Sequence, residues 1–337
     1  MLTPSLFSIL PDYVVTPDGM QPHPDGDLVL SCPNFADEAI SGVVVRITRT
    51  GEVTKWFDVP RHPETGVARN MGLALGPDGT CYLCDNQGWS GEDALAFKGR
   101  LLAVRAGRDG VIESRTVAWG MEHPNGVRIK GRHLYVTQSL LTREQDPSGQ
   151  VVSGVYRFDL EDDDVFVTNT REDPQLIATF TTRDPEVQYG ADGIVFGPDA
   201  SLYVGNFGDG EVYRITFDAR GEVRANQPFA RDPEQLRSTD GMIFDELGNL
   251  YVADFSANAL ARVRPEGQVT RIAESPDSDG LGGELNQPGE PVIFDGRIIA
   301  SCFDLVTGPD KVNTGHSLPA TLCQVPLAAA QAWERPT

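Results

Sequence analysis

The chain has 337 residues, 40% of them apolar, with 35 glycines, 24 prolines and a formal net charge of −21; this is the composition of a folded, turn-rich protein. So acidic a balance argues against nucleic acid, whose phosphates need lysine and arginine, and no apolar run is long enough to cross a bilayer. Five cysteines at irregular spacing suit a reducing compartment.

The N-terminal MLTPSLFSILPDYVV has no basic start and is broken by Pro4 and Pro11, so export is not expected and the predicted location is cytoplasmic. From Pro17 a sentence begins that the chain then repeats. A polar residue is followed by glycine, a few apolar residues, a Pro-Asp-Gly-like turn and a second apolar run. The copies are PDGMQPHPDGDLVLS from Pro17, NMGLALGPDGTCYLC from Asn70, PNGVRIKGRHLYVT from Pro124, GADGIVFGPDASLYVGNF at 190–207 and STDGMIFDELGNLYVADF at 238–255. A worn copy, GEPVIFDGRIIASC, starts at Gly289. Their head residues are Asp18, Met71, Asn125, Asp192, Asp240 and Glu290, at spacings of 53, 54, 67, 48 and 50. The long third gap holds an acidic insertion, LEDDDVFVTNTRED. In the second copy, Cys81 and Cys84 lie three apart on a predicted strand, on opposite faces, which disfavours a zinc or redox pair. The only helix candidate is the short PLAAAQAWER near the C-terminus.

Each copy divides into strands: GMIFD, a tight ELGN turn, LYVADF, then ALARVRPEG and QVTRIAE. Alternating apolar positions such as Met242/Phe244 and Leu250/Val252 are predicted to pack sheet on sheet. A period near 50 built of short strands predicts a six-bladed β-propeller, all-β, with four antiparallel strands per blade. The whole chain, 1–337, is then a single domain. The early LFSILPDYVV is expected to pair with the last blade, near TLCQVPL, and to cover an open edge.

In that architecture the six heads ring one end of the central channel. Four carboxylates, an amide and a thioether do not make a dry core, because buried like charges repel. A divalent cation resolves the repulsion, and oxygen ligands favour calcium before magnesium. The alternative is that the heads bond turn amides, as Asp-Gly and Asn-Gly do elsewhere.

Asp18-Gly19, HPNGV at 123–127, GADGI at 190–194 and TDGMIFDELGNLYVAD at 239–254 resemble the six-bladed calcium propellers of the gluconolactonase/senescence-marker-protein family and its diisopropyl-fluorophosphatase and paraoxonase relatives. The resemblance spans nearly the whole chain and implies one catalytic Ca²⁺ in the tunnel, with Mg²⁺, Mn²⁺ or Zn²⁺ as alternatives. The family's ligands are a glutamate, two asparagines and an aspartate, from blades one, three, four and five. Carried over, they fall on Asp18, Asn125, Asp192 and Asp240. Asn125 and Asp240 match in type, whereas Asp18 is a methylene shorter and Asp192 adds a charge. A rotated reading, Glu290, Asn70, Asn125 and Asp192, also satisfies the pattern, although Asn70 stands two residues before its glycine.

The implied reaction is hydrolysis of a lactone or related ester, with Asp240 first and Asp192 second as base or nucleophile. The alternatives are a propeller that only binds a small molecule or a protein around a structural calcium, or one of another reaction type, such as a phosphotriesterase or lyase. The expected partner is a small-molecule substrate, with neither nucleic acid nor membrane. Loops joining second to third strands return to the ring, so Trp89 and Phe97 are candidates to wall an apolar substrate. Asn86, Asn206 and Asp254, at the ends of second strands, are candidates to touch ligand or ion. His316 is a candidate for proton transfer, and His123 either orients Asn125 or packs.

Overall fold

The computed structural model describes residues 1–108 and 110–334. Each copy of the repeat folds into one sheet. In the fifth, Met242–Phe244 is the inner strand, Leu250–Asp254 returns antiparallel, and Ala259–Val263 and Val269–Glu274 follow outward. Asp245 closes the first turn, its carboxylate accepting from the Leu247 and Asn249 amides at 3.0 and 2.8 Å. Among the described residues there are six such sheets, and their inner strands touch one another around a central axis. The fold is a six-bladed β-propeller, as the repeat predicts.

Strand alternation builds the core between blades rather than at the axis. Met242, Leu250 and Val252 pack on Val195 and Tyr203 of blade four, while Tyr251 and Leu260, on the other face, meet Ile298 and Ala300 of blade six. Cys81 and Cys84 obey the same rule, one packing toward blade one and the other toward blade three, and all five cysteines are free and buried. Ser5–Ile9 pairs antiparallel with Thr321–Pro326 as the outermost strand of blade six, so both ends of the chain share that blade. The acidic insertion has a definite place: Val165–Phe166 pairs parallel with Gly110–Met121 and gives blade two a fifth, outer strand. The helix Leu327–Ala332 ends against the buried Arg262, whose guanidinium donates to the Ala330, Gln331 and Trp333 carbonyls.

The glycine that follows five of the six heads, all but Glu290, has a steric reason. A Cβ on Gly193 would lie 1.9 Å from the Asp240 carbonyl oxygen of the next blade, and one on Gly72 would lie 2.4 Å from that of Asn125. Inner strands therefore touch backbone to backbone, closer than any side chain permits. In blades two, three, four and six the strand register slips at the head, between Asn70 and Leu73, Pro124 and Val127, Ala191 and Ile194, and Pro288 and Pro291. A bulge of this kind re-aims a side chain out of the pleat.

Gly193→Ala is expected to lower unfolding stability by about 1–3 kcal/mol through overpacking. Gly315→Ala, which meets nothing within 4 Å, should stay within about 0.5 kcal/mol of the parent. Urea unfolding of both variants checks the difference.

Candidate active site

Hydroxyls of neighbouring strands fix the backbone of the heads. Thr137 Oγ1 donates to the Asp192 carbonyl at 2.6 Å and accepts from the Gly126 amide at 2.8 Å. Ser301 repeats the device across the closure, donating to the Asp18 carbonyl at 2.6 Å and accepting from the Glu290 amide at 2.9 Å. Of the heads, Met71, Asn125, Asp192 and Asp240 line one cavity of about 370 Å³ at the mouth of the channel. Asp18 and Glu290 are buried in the same ring but do not line it.

The charges are incompletely compensated. Glu290 has a cation of its own, the Arg128 guanidinium, 2.5 Å away. Among the described residues no ion pair reaches Asp18, Asp192 or Asp240. Asp240 accepts only from the Gly241 amide, through Oδ1 at 2.9 Å. Burial, reinforced by Glu290, raises the Asp18 carboxyl to about 7. Burial raises Glu290 to about 7 despite Arg128. Asp192 and Asp240 are held well above the usual carboxylate range, first by burial and then by the other ring carboxylates.

Of the two ligand sets read from the sequence, the rotated one is dispersed. The Asn70 amide donates to Ser31 Oγ at 2.7 Å and to the Val43 carbonyl at 3.1 Å, tying blade two to blade one, and Glu290 is paired with Arg128. The unrotated set keeps Asn125, Asp192 and Asp240 together on the cavity, with Asp18 outside its lining. Among the described residues no three His, Cys, Asp or Glu side chains are grouped to hold a metal by themselves. A cation at this floor would draw on the Asn125 amide with Asp192 and Asp240. These are hard oxygen donors, two of them carboxylates without a counter-charge, and they fit calcium or a similar ion.

Trp89 lines the cavity. Phe97 does not; the Arg143 guanidinium lies 4.1 Å over its ring. Asn206 and Asp254, offered by the sequence as ligand contacts, are fully buried away from the cavity and serve backbone. Asn206 donates to the Thr181 carbonyl and accepts from Thr182. Asp254 accepts from the Arg237 and Ser238 amides and pairs with Arg271 at 3.1 Å. Sitting at the end of a second strand predicts loop anchoring better than ligand contact. His316 also lies outside the lining, its Nδ1 donating to the Asp304 carbonyl at 2.5 Å.

His123 does line the cavity. Asn86 Nδ2 donates to its Nδ1 at 3.1 Å and to Met71 Sδ at 3.2 Å, so Asn86 acts through His123 rather than from the wall. Burial lowers His123 to about 4. With Nδ1 accepting, the neutral ring carries its proton on Nε2, which has no partner among the described residues. The sequence reading missed Phe207, Phe255 and Phe303, which form the wall. A signal was there: each directly follows a second strand, in YVGNF, YVADF and IIASCF.

Solved structures share this architecture. A gluconolactonase from Xanthomonas campestris is 16% identical with a TM-score of 0.58, over 94% of this chain and 88% of its own. Regucalcin from Agrobacterium tumefaciens, described as a calcium-binding protein, is 14% identical with a TM-score of 0.58, over 95% of each chain. A streptogramin B lyase is 13% identical with a TM-score of 0.53, over 95% and 96%. At such identities the likeness concerns the fold, which serves different chemistries. No curated protein sequence matches the chain. The family model of the SMP-30/gluconolactonase/LRE-like region matches residues 131–279, which include the fourth and fifth repeats with Asp192 and Asp240. The chain therefore carries an SMP-30/gluconolactonase/LRE-like region, as the resemblance of its repeats implied.

Proposed function

We propose that the chain is a divalent-metal-dependent hydrolase of a lactone or related ester, calcium being the first candidate ion. The observation that carries this reading is the cavity floor, lined together by Asn125, Asp192 and Asp240, where among the described residues neither carboxylate has a cationic partner. The family match over residues 131–279 supports it. Asn125, Asp192 and Asp240 would hold the ion, with Asp18 close enough to add its field. When bound, such an ion polarises a carbonyl oxygen and acidifies water.

The chain's own groups then divide the work. Asp240 Oδ1 is engaged by the Gly241 amide, which leaves Oδ2 to take a proton from attacking water or to attack the carbonyl carbon itself. Asp192 is the second carboxylate at the floor and the reserve candidate for that role. His123 supplies an N–H from a neutral ring, suited to the carbonyl or departing oxygen of the ester rather than to proton abstraction. The apolar wall excludes water from the floor and strengthens these interactions.

Asp240→Asn is expected to lower kcat by roughly two to four orders of magnitude with little change in the unfolding midpoint. Near-parental turnover of a lactone panel by this variant would remove Asp240 from the chemistry. Activity that persists after verified chelation would remove the metal.

Chelation also has a pH signature. Asp18 and Glu290 are raised to about 7 in the fold from about 4 in the unfolded chain, so the fold holds protons that the unfolded chain releases. That stabilisation is full below about pH 4 and is lost as pH rises through about 7. The chelated protein should therefore melt at a lower temperature at about pH 8 than at about pH 5, and Ca²⁺ should restore more at the higher pH. Calorimetric melts at both pH values with and without calcium decide it. Calcium-independent melting at both would leave the ring without its cation.

A further inference from the structure

Above its polar floor the cavity changes character. Phe207, Phe255 and Phe303, all buried, stand edge to face around it with ring centroids 5.7 and 5.6 Å apart. Trp89 continues the wall, 5.8 Å from Phe303 and stacked on Phe35 at 4.3 Å and 18°. Met71, the one apolar head of the ring, joins the same cluster. The three phenylalanines directly follow second strands of blades four, five and six, so this wall is set by the sheets rather than by loop tips. Of the lining's other polar side chains His123 alone is buried, and Ser90, Glu186, Tyr189 and Thr307 are exposed. The lining's one lysine among the described residues, Lys311, is paired with the neighbouring Asp310.

Resting on the hydrolase reading, we propose that this cavity takes an uncharged lactone or ester whose non-reacting part is an apolar ring or short alkyl chain, and that it discriminates against polyhydroxylated lactones. A polyol held at the floor would press hydroxyls against aromatic faces, where they lose water and gain no partner. An apolar ring instead releases water from both surfaces and stacks or tilts on the phenylalanines. Charge selects in the same direction. Glu186 repels an anionic substrate, and Lys311, paired with Asp310, offers it no free cation. The volume of about 370 Å³ suits a molecule of one or two rings.

The test compares, on the calcium-loaded protein, a benzo-fused δ-lactone, an alkyl-substituted δ-lactone and a polyhydroxylated δ-lactone. In parallel, binding of the three corresponding lactams, which are not turned over, is measured by calorimetry. The expected result is a kcat/KM for the apolar lactones at least about 100-fold above that of the polyol, with the same ranking among the lactams. Phe207→Ser and Phe303→Ser should each narrow that ratio about tenfold or more, while Phe207→Leu keeps it; thermal melts report whether each variant folds. A polyol turned over as well as the apolar lactones, or its lactam bound as tightly, overturns the inference and leaves the hydrolase reading in place. Lactams ranked as expected with no lactone hydrolysed would uphold the pocket and overturn the hydrolase reading.

Discussion

Backbone contact between neighbouring inner strands is the constraint on which this molecule depends. A propeller blade offers its innermost strand to a crowded axis, and any Cβ at the contact would hold the next blade away. Glycines such as Gly72 and Gly193 remove that obstacle and let head residues of successive blades approach one axis. The bulges at four of the heads turn those side chains out of the strand pleat. Thr137 and Ser301 then lock the backbone from adjoining strands. The same few residues per blade thus set both the closure of the ring and the orientation of its oxygens.

Such convergence gathers carboxylates that would not choose one another's company. Among the described residues only Glu290 is answered by a cation, Arg128. The described residues give the other three no ionic partner while keeping them out of bulk water. That is an unfavourable arrangement for stability and a useful one for chemistry, since a site that binds a cation must forgo part of its own compensation. The aromatic wall and the neutral His123 share that logic. On the proposed reading, each is a buried surface that a substrate would complete.

The architecture was legible because it is periodic. Six repeats, five of them with a glycine after the head, their alternating apolar positions and the fit of LFSILPDYVV to the last blade required no knowledge of distant contacts. The ring residues were legible for the same reason, since Asn125, Asp192 and Asp240 hold equivalent places in their blades. What sequence could not separate was direction at the ends of second strands. Asn206 and Phe207 are adjacent, as are Asp254 and Phe255, and in each pair a ligand contact could be assigned to either residue. In the fold the polar member turns back to secure the loop and the aromatic one faces the cavity. The Arg128–Glu290 pair was equally hidden, because it joins residues on different blades that no repeat relates.

The most direct measurement is a crystal grown with Mn²⁺ in place of Ca²⁺ and refined with anomalous data collected at the manganese edge. Convergent head oxygens predict one anomalous peak on the channel axis, within coordination distance of Asn125, Asp192 and Asp240. An axis without a peak at saturating metal, or head side chains found turned into the blades, would contradict the account.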